Sequence, residues 1–551
     1  MTKRVYFLIG SIALISGIAG YSFRTPDTQD FEISKNMEIF GAVYKELNTN
    51  YVDMPQPGQL MKEGIDGMMR SLDPYTVYYP ESDIEDFKIQ TTGQYGGLGA
   101  VNRKKGDYTE VIETYEGYPA SKAGLQPGDL IIEIDGKSIK GWDQDEVSKH
   151  LKGTPGTPVK LKVRREGEQD FEKTLTREEV KIKDVPYYGM LNATTGYIKL
   201  VQFRITASSE VREAFVELKK QGMSQLVFDL RGNGGGLLIE AVKIVGLFVP
   251  KNTLVVSQKG RMPNSTETYY TKDEPLDTQI PMVFLIDENT ASASEIVSGS
   301  MQDLDRAVVA GHRSYGKGLV QQTRNLPYNT MIKLTTSKYY IPSGRCIQKL
   351  DYSHKDESGK ATMSVDSLSK KFKTKNGRDI YDGRGIEPDV TLDIPEYSKI
   401  LVSLVRNQFI FDYAVKFRRN NASIADAKTF ALSDNQYLEF VNFVKSKDFS
   451  YSTQSKDVLD EFKKTAEKEK YFQGAEKEFE ALMKKIEPKK EDDLLRFKDE
   501  IRDYLESDIV AIYYLQKGRY EHDLLNDQLV KKAIEILNDK AGYAALLKPK
   551  K

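Results

Sequence analysis

Between residues 195 and 395 the chain alternates short apolar strands, GYIKLVQF, QLVFDL and PMVFLI, with helical stretches. That alternation confines the region to an α/β architecture, in which helices cover the apolar faces of a sheet. The flanking regions have other textures. A polar linker, RTPDTQD, leads into a helical pattern with Phe40, Val43, Tyr44 and Leu47 on one face, and a second helix over about residues 58–72 closes at SLDPYTVYYP. From residue 93 to 180 glycine turns and short alternating strands predominate. Beyond 396 strand signals are sparse: SDNQYLEFVNFVKSKD places Tyr437, Phe440, Val441 and Val444 on one helical face, and LLRFKDEIRDYL does the same with Leu494, Phe497, Ile501 and Tyr504. These are core stripes of a helical domain, and the Lys/Glu runs near 470 are solvated faces. At 551 residues the chain is too long for one core. The textures divide it into an N-terminal leader (1–24), a helical segment (25–92), a small β-rich domain (93–180), an α/β core (181–395) and a helical C-terminal domain (396–551).

A formal net charge of −1 argues against nucleic acid as a partner, which would need a basic stripe. One cysteine, Cys346, excludes an internal disulfide and a cysteine-rich metal site. The leader MTKRVYFLIGSIALISGIAGYSF has Lys3 and Arg4 ahead of an apolar run from Val5 to Phe23. Its length suits a cleaved export signal or a membrane anchor, with Gly17 and Ala19 as small residues for cleavage. Either form leaves the positive end in the cytoplasm and the rest outside.

Two glycine-rich stretches carry the candidate chemistry. In YGGLGA the absence of side chains lets amides converge on an anion, and an adjacent strand edge could take an extended peptide. A small β-domain with tight turns and no ligand is the plainer alternative. In QLVFDLRGNGGGLL an apolar strand runs into four glycines, whose amides could face a developing oxyanion. Nucleotide readings fail in both places they could apply. A dinucleotide fingerprint starting at Gly232 meets Leu237 where glycine is needed, and GHRSYGKG has Gly318 where a P-loop carries Ser or Thr. Lys317 could then serve as a base for a serine, provided that its amine is neutral. A free lysine titrates near about 10.4, so working near neutrality asks for ~3 pH units, or ~4 kcal/mol of differential solvation. Burial has that sign. Gly316 and Gly318 would let the backbone pack closely, and Leu319 and Gln321 would share the lysine's strand face. An ordinary exposed loop lysine is the competing reading. Ser292 with Glu295 forms a capping box opening the helix SEIVSGSMQDL, and that position suits a cap as well as a nucleophile.

YGGLGA resembles the carboxylate-binding loop of PDZ domains, and YPASKAGLQPGDLIIEIDGKSI is similar to the signature that follows it. The resemblance implies that Gly97, Leu98 and Gly99 cradle a peptide's terminal carboxylate. Ala100 stands where many such loops have a bulkier apolar residue. The succession SLDPYTVYY, the PDZ-like module, DLRGNGGGLL, TASASEIVSGSMQD, GHRSYGKGLVQ, TTSKYYIPSGRCIQ and GRGIEPDV resembles the carboxyl-terminal processing (tail-specific) serine peptidases over roughly residues 35–395. That resemblance implies Ser292 as nucleophile, Lys317 as general base and Gln321 as a lysine-positioning residue. It implies an oxyanion hole from the amides of Ala293 and the Gly235–Gly236 turn, although Gly234 stands where the family often has proline. Ser294 and His312 become non-catalytic.

The implied fold is multidomain α+β: a crotonase-like α/β peptidase core with an inserted PDZ domain, preceded by the helical segment and followed by the helical domain. The expected activity is an exported, periplasmic endopeptidase, anchored in the inner membrane or secreted, without metal or cofactor. It would recognise free, apolar C-termini of proteins or peptides. Association into a homo-oligomer stays open. The rival readings are a catalytically silent PDZ scaffold or holdase, and a Ser-His-Asp hydrolase using His312.

Overall fold

The computed structural model describes residues 28–262, 265–356, 359–363, 369–393 and 396–549. The leader, residues 1–24, lies outside them; among the described residues no helix is long and apolar enough to cross a membrane. The chain divides into two compact units, one comprising residues up to Ile84 with Gln321–Thr335, the other Glu85–Val320 with the chain from Thr336 onward.

In the first unit, helices span Thr28–Asn50 and Pro57–Leu72. The stripe predicted on the first helix is largely exposed: Phe40, Val43 and Leu47 face out, while Tyr44 is half-buried and its hydroxyl donates to the Pro57 carbonyl at 2.9 Å. Asp73, in SLDPY, accepts from the amides of Tyr75 and Thr76 at 2.8 Å each, an Asx turn that stops the second helix. The strand Val77–Tyr79 follows, antiparallel to residues 331–333.

The second unit contains the small β-rich module that resembles a PDZ domain. Its strands Ala100–Lys105, Tyr108–Thr114, Leu130–Ile134, Pro158–Arg164 and Phe171–Thr176 are hydrogen-bonded in that order, with a helix at Gln144–Leu151. Alternation sets its core: Val159, Leu161 and Val163 are buried, whereas Lys160 between them points out.

The α/β core is built on β1 (Tyr187–Met190), β2 (Thr195–Lys199), α1 (Ala207–Lys220), β3 (Gln225–Asp229), α2 (Leu238–Gly246), β4 (Met282–Ile286), α3 (Ala293–Asp303), β5 (Val308–Gly311) and β6 (Val390–Thr391). The strands lie side by side in chain order; β1 is antiparallel to β2 and every later pair is parallel. The central strands β3 and β4 are buried on both faces, which is why QLVFD and MVFLI read as continuous apolar runs. Leu226, Phe228, Phe284 and Val309 pack with the helices α1–α3 through Phe215, Leu218, Ile244 and Val297.

The opposite face, with Val227, Val283, Leu285 and Val308, is covered from the far end of the chain. There α4 (Lys498–Asn526), broken by non-helical backbone at Leu515 (φ 58°, ψ −162°), is followed by α5 (Gln528–Asn538), whose Leu529, Val530, Ala533 and Leu537 join that cluster. At about 1.5–3 kcal/mol per buried aliphatic side chain, this covering contributes several kcal/mol. A second helical core gathers Leu404, Tyr413, Phe417, Tyr437, Phe440, Val444, Leu494, Ile501 and Leu505. LLRFKDEIRDYL, expected as one helix, is two: a short helix ends at Arg496 and α4 starts at Lys498, because Phe497 has left the helical region at φ −102°, ψ 28°. The helical domain also touches the PDZ module: Lys105 bridges Glu110 and Asp412 at 2.6 and 2.8 Å, and Gln516 donates to Glu113 at 2.7 Å.

Candidate active site

The site forms where β3, β4 and the Ser314–Gly318 loop meet beside the start of α3. Ser292 occupies the junction between β4 and α3 and is half-buried, while every residue of α3 is buried. The capping box with Glu295 is present, but the backbone of Ser292 is not that of an ordinary cap. Its φ of 58° and ψ of −116° lie outside the extended region that caps adopt. Strain of this kind, on a strand-to-helix turn, is how hydrolases expose a nucleophile, and it costs on the order of 1–3 kcal/mol. The neighbouring serine is differently employed: Ser294 is fully buried and its hydroxyl donates to the Asn233 carbonyl at 2.9 Å.

Glu295 ties the serine to the lysine. Its fully buried carboxylate accepts from the Ser292 amide (2.7 Å), the Ser314 hydroxyl (2.5 Å), the Gly316 amide (2.7 Å) and the Lys317 amide (2.9 Å). Burial pushes this carboxyl up to about 7, against the pull of the four donors. Tyr339, buried beside it, donates its hydroxyl to the carbonyls of Lys317 (2.6 Å) and Ser292 (3.1 Å). Two buried side chains thus hold the backbones of residues 292 and 317 together at amide and carbonyl alike.

Lys317 itself is half-buried and stands in the turn ahead of the strand Leu319–Leu326. The expected sharing of one strand face by Lys317, Leu319 and Gln321 is therefore incorrect. Gly316 takes φ +86°, and the Gly318 amide donates to the Gln348 side chain at 2.7 Å rather than to a strand ladder. Both glycines are needed for space, since a Cβ at Gly316 would sit 2.6 Å from Lys349 Cβ and one at Gly318 2.7 Å from the Gln348 nitrogen. Gln321 lies in the first unit, where its amide donates to Thr335 Oγ1 at 3.1 Å; its lysine-positioning role rests on the sequence. The His312 Nε2 is buried and makes no hydrogen bond within the described residues.

The glycine loop runs beneath Ser292. A Cβ on Gly235 would lie 2.8 Å from both the Ser292 Cβ and the Ala293 nitrogen, and Gly235 has φ +98°. Only glycine fits that close approach. Asn233 shapes the turn: its side chain accepts from the Gly235 amide (2.9 Å) and donates to the Leu200 carbonyl (2.9 Å), while its carbonyl accepts from the Ala291 amide (3.0 Å). Of the two glycines expected at the oxyanion, Gly235 thus has its amide turned to Asn233. Gly236 follows at φ +147°, pressed on Phe203.

Beneath the loop, Asp229 is fully buried and receives Tyr197 (2.7 Å), Lys199 (3.1 Å) and the guanidinium and amide of Arg231. Burial drives this carboxyl upward, but Arg231 and Lys199 outweigh it and hold it well below the usual range. The PDZ loop opens on a cavity of about 160 Å³ lined by Gly97, Leu98, Ala100, Gln144, Ser148 and Leu151, among others. Gly99, at φ +70°, passes so close to Tyr118 that a Cβ would clash at 2.4 Å.

Residues 194–353 match peptidase family S41, residues 110–165 a PDZ domain, and residues 400–537 the C-terminal helical domain of probable PDZ-proteases. A probable CtpA-like serine protease of Staphylococcus aureus (strain COL) is 32% identical over 406 residues, 72% of this chain and 74% of that one. The chain belongs to this family of S41 serine peptidases. A carboxy-terminal-processing protease of Bartonella bacilliformis is 33% identical over 63% of the peptidase and 81% of its own length. Among solved structures, a photosystem II D1 C-terminal processing protease is 26% identical, with 64% of this chain and 86% of that one covered at a TM-score of 0.36. This peptidase is a carboxy-terminal processing serine protease with a PDZ domain.

The structure adds residues to which the sequence reading attached no role: Tyr339, Asn233, Arg231 and Asp527. Tyr339 lies inside a quoted motif, TTSKYYIPSG, but nothing in that string says which tyrosine hydroxyl turns inward. Glu295 was legible only as a capping residue.

Proposed function

We propose that the peptidase is an exported endopeptidase that captures free, apolar C-termini in the PDZ groove and cleaves by a Ser292–Lys317 dyad. The observation that carries the dyad is the double clasp: the Glu295 carboxylate on both amides and the Tyr339 hydroxyl on both carbonyls of residues 292 and 317. In this reading neutral Lys317 takes the hydroxyl proton as Ser292 Oγ bonds to the scissile carbonyl carbon. The Ala293 amide at the start of α3 and an amide of the glycine loop receive the oxyanion, Gly236 being favoured because the Gly235 amide faces Asn233. Collapse breaks the C–N bond, and the leaving amine takes the proton back from Lys317. Water, deprotonated by the same lysine, then hydrolyses the ester. The export half of the reading rests on Lys3, Arg4 and the apolar run that follows them.

A fluorophosphonate probe tests the dyad: labelling and peptide cleavage should both vanish in Ser292→Ala. They should also be lost in Lys317→Ala and in Lys317→Arg, since a guanidinium stays charged. Labelling that survives in both lysine variants would sink the dyad. Free-acid and amidated peptides of one sequence test tail recognition, with a tenfold or greater preference for the acid expected from ~1.5–3 kcal/mol of charge-assisted hydrogen bonds. Equal cleavage of the two would refute it. Protease accessibility in spheroplasts but not in intact cells tests export.

A further inference from the structure

The glycine loop cannot stiffen itself, so what anchors it decides how well its amides aim. Its middle is fixed by Asn233, its far end by Phe203, whose carbonyl accepts from the Leu237 amide at 2.8 Å, and its start by Arg231, two residues beyond the end of β3. Arg231 is held at three points: its amide donates to Asp229 (2.9 Å), its carbonyl accepts from Lys199 (2.7 Å), and its guanidinium forks onto two carboxylates. One is Asp229, reached by Nη2 at 2.5 Å. The other is Asp527, reached by Nη2 at 2.7 Å and Nη1 at 3.3 Å. Asp527 comes from the far end of the chain, as the N-cap of α5, where it also accepts from the amides of Leu529 (2.9 Å) and Val530 (3.0 Å).

Without Asp527, two cations, Lys199 and Arg231, would share the single carboxylate Asp229, and the guanidinium would keep only half of its fork. With it, two positive and two negative groups balance around the fully buried Asp229. A partly buried forked pair of this kind is directional, and breaking one member leaves the other uncompensated.

We propose that Asp527 is a positioning residue of the peptidase: acting through Arg231, it sets the start of the glycine loop and so the aim of the oxyanion donor. The N-cap of α5 then acts on the active site from the far end of the chain, so its loss should slow turnover with every dyad residue in place. This rests on reading the glycine loop as the oxyanion site.

The test uses the full chain and Asp527→Asn. Asparagine caps a helix as well as aspartate does, so α5 keeps its start and only the charge is lost. Expected is a kcat lowered tenfold or more on a free-acid peptide, with KM within twofold and fluorophosphonate labelling slowed in parallel. Arg231→Lys keeps the charge but loses the fork onto both carboxylates and should lower kcat at least as far. The double variant should be little worse than Arg231→Lys alone, because that substitution already removes the contact with Asp527. Leu537→Ala loosens the far end of α5, where the side chain is buried against the sheet, without touching Asp527 or Arg231, and should lower Tm while leaving kcat intact. The proposal is overturned if Asp527→Asn has the parent's kcat, if the two single effects simply multiply, or if Leu537→Ala lowers kcat as far as Asp527→Asn does. Loss of labelling in Ser292→Ala, measured alongside, separates the outcomes: if Ser292 is dispensable the catalytic reading fails, whereas if it is required and Asp527 is not, only this inference fails.

Discussion

Two buried carboxylates, Glu295 beside Ser292 and Asp229 at the foot of the glycine loop, answer burial in opposite ways. Glu295 is surrounded by neutral donors, three amides and a hydroxyl, and burial still pushes it up to about 7. Asp229 is equally buried, yet Arg231 and Lys199 hold it well below the usual range. Dipoles satisfy a carboxylate's hydrogen-bonding capacity without repaying the loss of hydration; full charges nearby do so. The serine–lysine clasp is therefore built on a group that can change protonation near neutrality, whereas the footing of the glycine loop is locked in one charge state.

The sharpest way to break the contrast is Asp229→Asn. It leaves two largely buried cations with one carboxylate, Asp527, which reaches only Arg231, so a loss of about 3–5 kcal/mol is expected from denaturant unfolding, together with most of the activity. A variant as stable as the parent would mean that the cations find water instead.

Glu295→Gln probes the other side through pH. A carboxyl raised from 4.5 to about 7 binds its proton more tightly in the folded chain, so its contribution is fully present below 4.5 and is lost as pH rises through 7. Relative to the glutamine variant, the parent should lose ~3 kcal/mol of stability across that window. Asp229 has the opposite sign: its contribution is present above its unfolded value and disappears only in strong acid, so it adds no slope there. A flat difference curve between parent and Glu295→Gln from pH 4.5 to 7 would contradict the assignment.

Ser314→Ala should act in the same direction but less. The Ser314 hydroxyl donates to Glu295 and accepts from the Ile386 amide at 2.6 Å, so its removal should cost about 1–2 kcal/mol. It should also move the Glu295 midpoint further up, readable as a shift in the pH profile of kcat. The smallest effect is expected from Tyr339→Phe, which removes one hydroxyl from two carbonyls at a cost of roughly 1 kcal/mol. A severalfold fall in kcat with unchanged KM would show that the carbonyl clasp matters beside the amide clasp; an unchanged kcat would leave Glu295 as the sole tie.

The contrast also separates what could be read early from what could not. The strands β3 and β4 announced themselves as apolar runs, because a strand covered on both faces needs nothing else. Ser292, Lys317 and the glycines stand in short contiguous motifs, so their company in the sequence carried the assignment. The stripes of the helical domain, Tyr437 to Val444 and Leu494 to Tyr504, followed from helical periodicity even though Phe497 divides the second helix. The stripe at Phe40 and Leu47 was equally periodic and is exposed, since periodicity reports a face and not what covers it.

By itself, then, the sequence determined everything whose cause is local: the order of modules, the apolar strands, the glycine loops, and the serine and lysine with their immediate neighbours. Only the tertiary structure decided how those parts are held. The strain at Ser292, the four donors on Glu295, the Tyr339 hydroxyl between two carbonyls and the Arg231–Asp527 pair join groups far apart in the chain, the last 296 residues apart. A hydrogen bond across such a distance leaves no spacing or period in the sequence, because its partners are brought together by the packing of whole elements, here α5 closing the second face of the peptidase sheet.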